Sequence, residues 1–136
     1  MVVVVVIGIF AALGMAAFSR MNERSLASRM ANDFRQVASA FQQYIQERGT
    51  WPAATTNAGD IPTNMGPYLP STFTHGSAVG GGYTWSGTTA RLRLINISNA
   101  TYDPIPTRVD AILDDGKLTM GDFTSMVSGG YHWQLH

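Results

Sequence analysis

The chain has three histidines, nine basic and nine acidic side chains and no cysteine, so the side chains able to do chemistry form a short inventory. His132 and His136 are four positions apart. On a strand that spacing separates them by ~13 Å, too far to hold one metal ion, and they read as surface histidines. Asp114-Asp115-Gly116 followed by Asp122 supplies oxygen donors around a glycine turn, as a calcium loop does. An EF-hand phased on Gly116 would need oxygen ligands where Ala111 and Leu113 stand, so that motif fails. Asp114, Asp115 and Asp122 are left as candidates for an irregular calcium site, against the simpler reading of a solvated turn. Serine, histidine and aspartate all occur, but without a nucleophile elbow or any other catalytic motif. The absence of cysteine removes disulfides, thiolate zinc sites and cysteine nucleophiles. A formal charge of zero argues against a binder of nucleic acid, which needs a basic surface to displace counterions. The sequence thus predicts no enzyme, no cofactor and no nucleic-acid partner. Asn96-Ile97-Ser98 and Asn99-Ala100-Thr101 are formal glycosylation acceptors, a short and common pattern.

The elements that carry these residues are unevenly built. None of the charges falls within residues 1–19. The opening run, MVVVVVIGIFAALGMAAF, contains apolar residues and glycine only. As a helix it would span ~27 Å, close to the ~30 Å hydrocarbon core of a bilayer. A cleaved secretory signal would want a basic segment before the run, and none is present. Five consecutive valines suit a strand, but the run is too long for one. A membrane-spanning or protein-buried helix fits best.

From Ser19 to Arg48 there is neither proline nor glycine. Leu26, Met30, Phe34, Val37, Phe41 and Ile45 recur at the period of one helical stripe. Arginines, glutamates and glutamines occupy the other faces. Gly49 offers a C-cap, and Trp51-Pro52 stops the helix. Phe10, Phe18, Phe34, Phe41 and Tyr44 along this segment read more simply as packing residues than as an electron path. One helix over 1–48, apolar in its first third and amphipathic afterwards, is several times the usual globular length.

These features resemble the type IV pilins and the type II secretion pseudopilins. Met-Val-Val-Val-Val-Val-Ile-Gly-Ile-Phe-Ala-Ala is similar to the family's N-terminal segment, including the Gly8 position. The likeness continues in organisation through the amphipathic helix to its exit at Tyr44 and Trp51-Pro52. It is looser over Gly80-Gly81-Gly82-Tyr83-Thr84-Trp85 and Asp114-Asp115-Gly116. The resemblance implies an α+β, pilin-like fold, with a long N-terminal helix packed against a small C-terminal antiparallel sheet head. It implies a homopolymer, a helical extracellular filament held through Met1, Val2, Val3, Val4, Val5, Val6, Ile7, Gly8, Ile9, Phe10, Leu13, Gly14 and Phe18. It also implies residence in the inner membrane before assembly, an inner-membrane assembly machinery, a prepilin peptidase and N-terminal methylation. A pseudopilin of a secretion system is the neighbouring alternative, and a non-polymeric, single-pass membrane-anchored binding domain the more distant one. Some pseudopilins use calcium in a C-terminal loop, which keeps Asp114, Asp115 and Asp122 open.

Two departures from the family stand out. Aligned on the apolar run, the family's phenylalanine-led hexapeptide ending in glutamate-leucine would precede Met1, so the mature N-terminus is expected to be longer than the sequence here. The helix-breaking proline expected near Ala16 is missing, which makes Gly14 the expected point of any loosening. Arg20 and Arg24 directly after the run would by a positive-inside reading place the head in the cytoplasm. The family topology, with a basic leader on the other flank, puts it outside.

In the head, residues 49–81 are expected to form a long ordered loop pinned by Trp51, Ile61, Met65, Tyr68, Leu69 and Phe73, since four prolines forbid long regular elements. In the pilin reading it covers the next subunit. Residues 82–136 are expected to be an antiparallel sheet. Tyr83 and Trp85 share a face, and the Ala90–Ile97 strand changes phase near Ile95, which predicts a bulge or a strand end there. Thr107–Leu113 reads as a helical turn or a strand, and the runs around Asp114-Asp115-Gly116 invite a hairpin. In the last strand Tyr131, Trp133 and Leu135 face inward. This sheet is expected to pack on the Leu26–Ile45 stripe.

Overall fold

The computed structural model describes residues 2–97, 104–126 and 129–136; Met1, Ser98 and the acceptor at Asn99-Ala100-Thr101 lie outside the described residues. The first element, α1, runs Val2–Arg48 without a break, through both Gly8 and Gly14. No proline removes a donor from its ladder. It ends where Gly49, at φ 75°, takes a left-handed conformation that carries no Cβ strain and donates its N–H to the Ile45 carbonyl at 2.7 Å.

α1 is half bare and half covered. Residues 2–22 are exposed on every side, whereas from Ala27 onward one face is buried. Of the expected stripe, Met30, Phe34, Val37 and Phe41 are fully buried, while Leu26 and Ile45 are only partly so. At ~100° per residue, Ile45 lies ~100° around the helix from Leu26, so both cannot face one sheet. Tyr44 closes the far end instead, and Ala27, Ala31 and Ala38 fill the stripe between the large residues. Such small side chains let other backbone approach the helix closely.

Four antiparallel strands form the sheet: β1 Gly82–Trp85, β2 Arg91–Ile95, β3 Phe123–Ser125 and β4 Tyr131–Gln134, in the order β1-β2-β4-β3. Register brings Tyr83 opposite Leu94, Trp85 opposite Leu92, Leu92 opposite Trp133 and Phe123 opposite Trp133. With the period-2 alternation of a strand, all of these fall on one face, and that face meets α1. Phe34 sits at its centre, edge-on to Tyr83 at 5.4 Å, Phe123 at 5.3 Å and Trp133 at 6.3 Å. Phe41 stacks on Trp85 at 4.0 Å. β2 ends at Ile95, so the phase change marks a strand end rather than a bulge, and Asn96 follows at φ 61°. The fold is therefore α+β, a long N-terminal helix packed against a small antiparallel sheet, as the sequence led us to expect.

One local ambiguity is resolved and one expectation is corrected. The ambiguous Thr107–Leu113 segment belongs to a helix, α3, running Pro104–Leu113. Its prolines, Pro104 and Pro106, stand in the first turn, where a helix has no use for their missing N–H groups. Ile105 and Val109 are buried, and α3 lies along α1, fastened by the Arg35 guanidinium donating to the Ile112 carbonyl at 2.9 Å and by an Arg108–Glu23 ion pair at 3.6 Å. No hairpin therefore surrounds Asp114-Asp115-Gly116, since that turn joins a helix to β3. The sheet's second hairpin is β3–β4.

The 49–81 segment holds a five-residue helix, α2 Ser71–His75, begun immediately after Pro70. Met65 and Phe73 are fully buried within the head, and Trp51, Tyr68 and Leu69 partly so, but Ile61 is 49 % exposed and pins nothing. The same segment runs along the free edge of β1. Thr55 and Gly59 donate their N–H groups to the carbonyls of Trp85 and Tyr83 at 2.9 and 2.8 Å, and Trp85 Nε1 donates to the Pro52 carbonyl at 3.1 Å. Within the chain, this loop lies along the edge of its own sheet.

Candidate functional site

Two features of the surface depart from what folding alone requires. The larger is the bare half of α1. Its best 18-residue window has a mean hydropathy of 2.6 and none of it is buried, so this helix is long and apolar enough to cross a membrane. Phe10 and Phe18 are 70 % and 75 % exposed. The valines, Ile7, Ile9 and Leu13 are exposed with them, on all faces rather than along a stripe. Soluble chains rarely leave so large an apolar surface uncovered, and one that does marks a membrane or protein contact. Among the residues expected to hold a filament together, all those described, from Val2 to Phe18, lie on this segment; Met1 lies outside the described residues.

The smaller feature is an acidic corner at the end of α3. Asp110 is fully buried, yet neither of its carboxylate oxygens accepts a hydrogen bond. Carboxylate oxygens of Asp110, Asp114 and Asp115 lie within 4.8 Å of one another. Burial, reinforced by the charges of Asp115 and Asp114, pushes the Asp110 carboxyl up to about 6. Asp114 holds the following turn closed: its Oδ2 accepts the N–H of Asp122 and, at 3.4 Å, that of Phe123. Asp115 Oδ1 accepts the N–H of Lys117 at 2.8 Å.

The cluster differs in one member from the residues expected as calcium candidates. Asp122 is not part of the cluster; its Oδ1 faces His136 Nε2 at 2.9 Å instead, in an exposed pair. Asp110, which no motif in the sequence singles out, stands in the cluster instead. Its signal was present, because Asp110 and Asp114 are one helical turn apart and so share a face.

Two predictions arise at this corner. Gly121, at φ 85°, passes so close to the Asp114 carboxylate that an added Cβ would collide with Oδ2. Gly121→Ala should therefore lower the melting temperature by ~5 °C or more, combining left-handed strain with a displaced carboxylate. An unchanged melting curve would show that the turn is free to rearrange. The second concerns pH. Because the folded-state value of Asp110 is raised, the native state binds the extra proton between the ordinary carboxylate range and about 6. Stability in chelator should rise as pH falls from 7 to 5, and this rise should be smaller in Asp110→Asn. Equal slopes for the two proteins would refute the assignment.

Among the described residues the surface also carries open grooves. A cavity of about 650 Å³ on the outer face of the sheet is lined by Arg91, Arg93, His132 and the hydroxyls of Ser86, Thr89 and Ser125. His132 Nε2 contacts Thr124 Oγ1 at 2.9 Å across the β3–β4 pair, and burial with the two nearby arginines holds its pKa below the usual range. His136 stands at the acidic corner's edge with Asp122, so the two histidines serve different places, as their spacing implied. Comparisons of this chain with protein-family models, with curated proteins and with solved structures each return no match.

Proposed function

We propose that this chain is a structural subunit that polymerises into a helical filament of the type IV pilus kind, with no reaction of its own. The observation that carries this reading is the bare, uniformly apolar half of α1, continuous with a second half whose one face is already filled by its own head. Before assembly, residues 2–18 rest in the inner membrane, where a helix satisfies every backbone group internally. On assembly the same surface is transferred onto copies of itself. Burying a valine or leucine is worth roughly 1.5–3 kcal/mol against water, so dissociated subunits are strongly disfavoured once extracted. A head-to-tail contact that does not close makes a filament rather than a ring.

The test is electron microscopy of cells producing the chain. Long surface filaments whose subunit carries this sequence support the pilus reading, and short cross-linkable oligomers spanning the envelope point to the pseudopilus form. A protein that stays monomeric both in the membrane and in detergent overturns the proposal in favour of a simple membrane anchor. Charge gives a second check. The segment 19–48 carries a net +2 and the head 49–136 a net −2. Filaments held partly by helix arginines against neighbouring head carboxylates should loosen between low and ~1 M salt, where the Debye length falls to ~3 Å. Salt-insensitive filaments would count against that contact.

A further inference from the structure

The outer face of the sheet, turned away from α1, gathers positive charge that folding does not call for. Arg91 and Arg93 are two apart on β2 and so project from one face, ~7 Å from each other along the strand. Register sets Arg93 directly opposite His132 on β4, so two groups that can both be cationic face each other where like charges disfavour the pair. The head has only four basic residues, Arg91, Arg93, Arg108 and Lys117, against six acidic ones. Two of the four stand in this groove, and among the described residues no acid lines it. Arg91 is held by a relay: its Nε donates to Gln134 Oε1 at 2.8 Å, and Gln134 Nε2 donates in turn to the Thr89 carbonyl at 2.9 Å. The relay fixes the guanidinium and, among the described residues, leaves its terminal nitrogens unengaged. The Arg93 guanidinium is half-buried and has no hydrogen bond or ion pair among the described residues. Arg108 and Arg35, by contrast, find Glu23 and the Ile112 carbonyl. His132 engages Thr124 Oγ1 through Nε2 at 2.9 Å, which leaves Nδ1 over.

We propose that Arg91, Arg93 and His132 form a binding site for a phosphomonoester carried on a hydroxylated body of sugar size. A guanidinium fork matches the oxygens of a phosphate, and a dianion offsets charge that a single carboxylate would leave in excess. The groove holds about 650 Å³, within the ~300–1,000 Å³ typical of small-molecule sites and more than a bare phosphate fills. Its other walls are Ser86, Thr89, Ser125 and Met126, a lining that suits a body rich in hydroxyl groups. Among the described residues no aromatic ring lines it, so a base has nothing to stack on and a nucleic-acid strand is disfavoured. The rim is set in advance, because Thr89 Oγ1 donates to Ser86 Oγ at 2.7 Å and Ser86 Oγ accepts the Arg91 N–H at 2.9 Å. Burial, with Arg91 and Arg93 of β2 alongside, holds the His132 imidazole below its usual range and uncharged at neutral pH. Thr124 of β3, its other neighbour, carries no charge. A phosphate brought beside the ring reverses that bias, so binding takes up a proton. The site lies on the face opposite α1 and stands whether or not the subunits polymerise.

The test titrates the full chain in detergent, at ~0.15 M salt, with glucose 6-phosphate as the probe. Calorimetry should show one molecule bound per chain with a dissociation constant below ~1 mM, weaker binding of inorganic phosphate and none of glucose. Arg93→Gln should weaken binding ~10-fold or more and melt no lower than the unsubstituted chain, because it removes an unpaired charge beside a like one. Arg91→Lys keeps the charge but loses the fork, and should weaken binding as well. Lys117→Gln removes the same charge from outside the groove and should bind normally. Affinity should rise as pH falls from about 8 to about 6.5, and less steeply in His132→Gln. The probe's own proton, taken up near pH ~6, is common to both proteins, so parallel slopes would remove His132 from the site. Absence of binding heat up to ~10 mM probe, tenfold above the expected bound, overturns the proposal. So does an Arg93→Gln protein that binds normally, or a Lys117→Gln protein weakened as much as Arg93→Gln, since net charge alone would then explain the effect. A single-stranded oligonucleotide that binds more tightly than glucose 6-phosphate overturns it in favour of a strand-binding surface. Should Arg93→Gln fail to fold, Arg91→Lys decides by itself: weakened binding supports the site, and unchanged binding rejects it.

Discussion

Replacing Val4 or Ile7 with aspartate should abolish the proposed filaments and leave the head folded. Both side chains are more than half exposed on the bare segment, and nothing in the head touches them. An aspartate in a membrane helix costs up to about 2.5–3.5 kcal/mol on insertion scales, the most at the helix centre, and in a packed bundle it would be a buried charge without a partner. Because every subunit carries the change, the penalty recurs at each addition to the filament. The near-ultraviolet circular dichroism of the head should be unaltered, while electron microscopy shows no filaments. Val4→Leu, which keeps the apolar surface, should assemble normally. Normal filaments from either aspartate variant would remove the bare helix from the assembly mechanism.

Phe34→Ala should unfold the head from its helix. Phe34 is fully buried and touches Tyr83, Phe123 and Trp133 edge-on, rings drawn from strands β1, β3 and β4. Removing a buried phenylalanine typically costs 3–5 kcal/mol, the transfer loss being increased by the cavity left behind. A head of this size without a disulfide has little stability in reserve, so the loss should exceed what it can absorb at 37 °C. Phe18→Ala, on the bare segment, should leave the melting temperature unchanged. Thermal melts of both proteins in detergent distinguish the two positions. A Phe34→Ala protein melting within a few degrees of the original would show that the sheet does not depend on this contact.

The long helix was legible because its signals are local: an apolar run, a stripe at helical period, and a glycine followed by tryptophan-proline. Tyr83 and Trp85 were legible for the same reason, since alternation along a strand is visible in the chain. The alanines of the stripe were not, because Ala27, Ala31 and Ala38 are buried for their smallness, which becomes meaningful only once a sheet lies against them. α3 was ambiguous because a segment as short as Thr107–Leu113 fits either period, and Pro104 and Pro106 mark a helix start only once the first turn is placed. Reading Asp114-Asp115-Gly116 forward suggested a hairpin and a partnership with Asp122. The structure runs the other way, back one turn into a helix, where Asp110 waits. The one-turn spacing of Asp110 and Asp114 is visible in the sequence, but the burial that singles out Asp110 is not.

The passage from bare to covered helix at Ala27 involves no linker. The ladder of α1 passes from one region to the other unbroken, through Gly14 and without a proline. A helix of this length is a rod ~70 Å long, and the sheet is bolted to its far end by Phe34 and Phe41. Mechanically the chain is a handle and a blade forged in one piece. A twist or pull applied to the apolar end reaches the head as rigid rotation or displacement, with no joint in which to dissipate it.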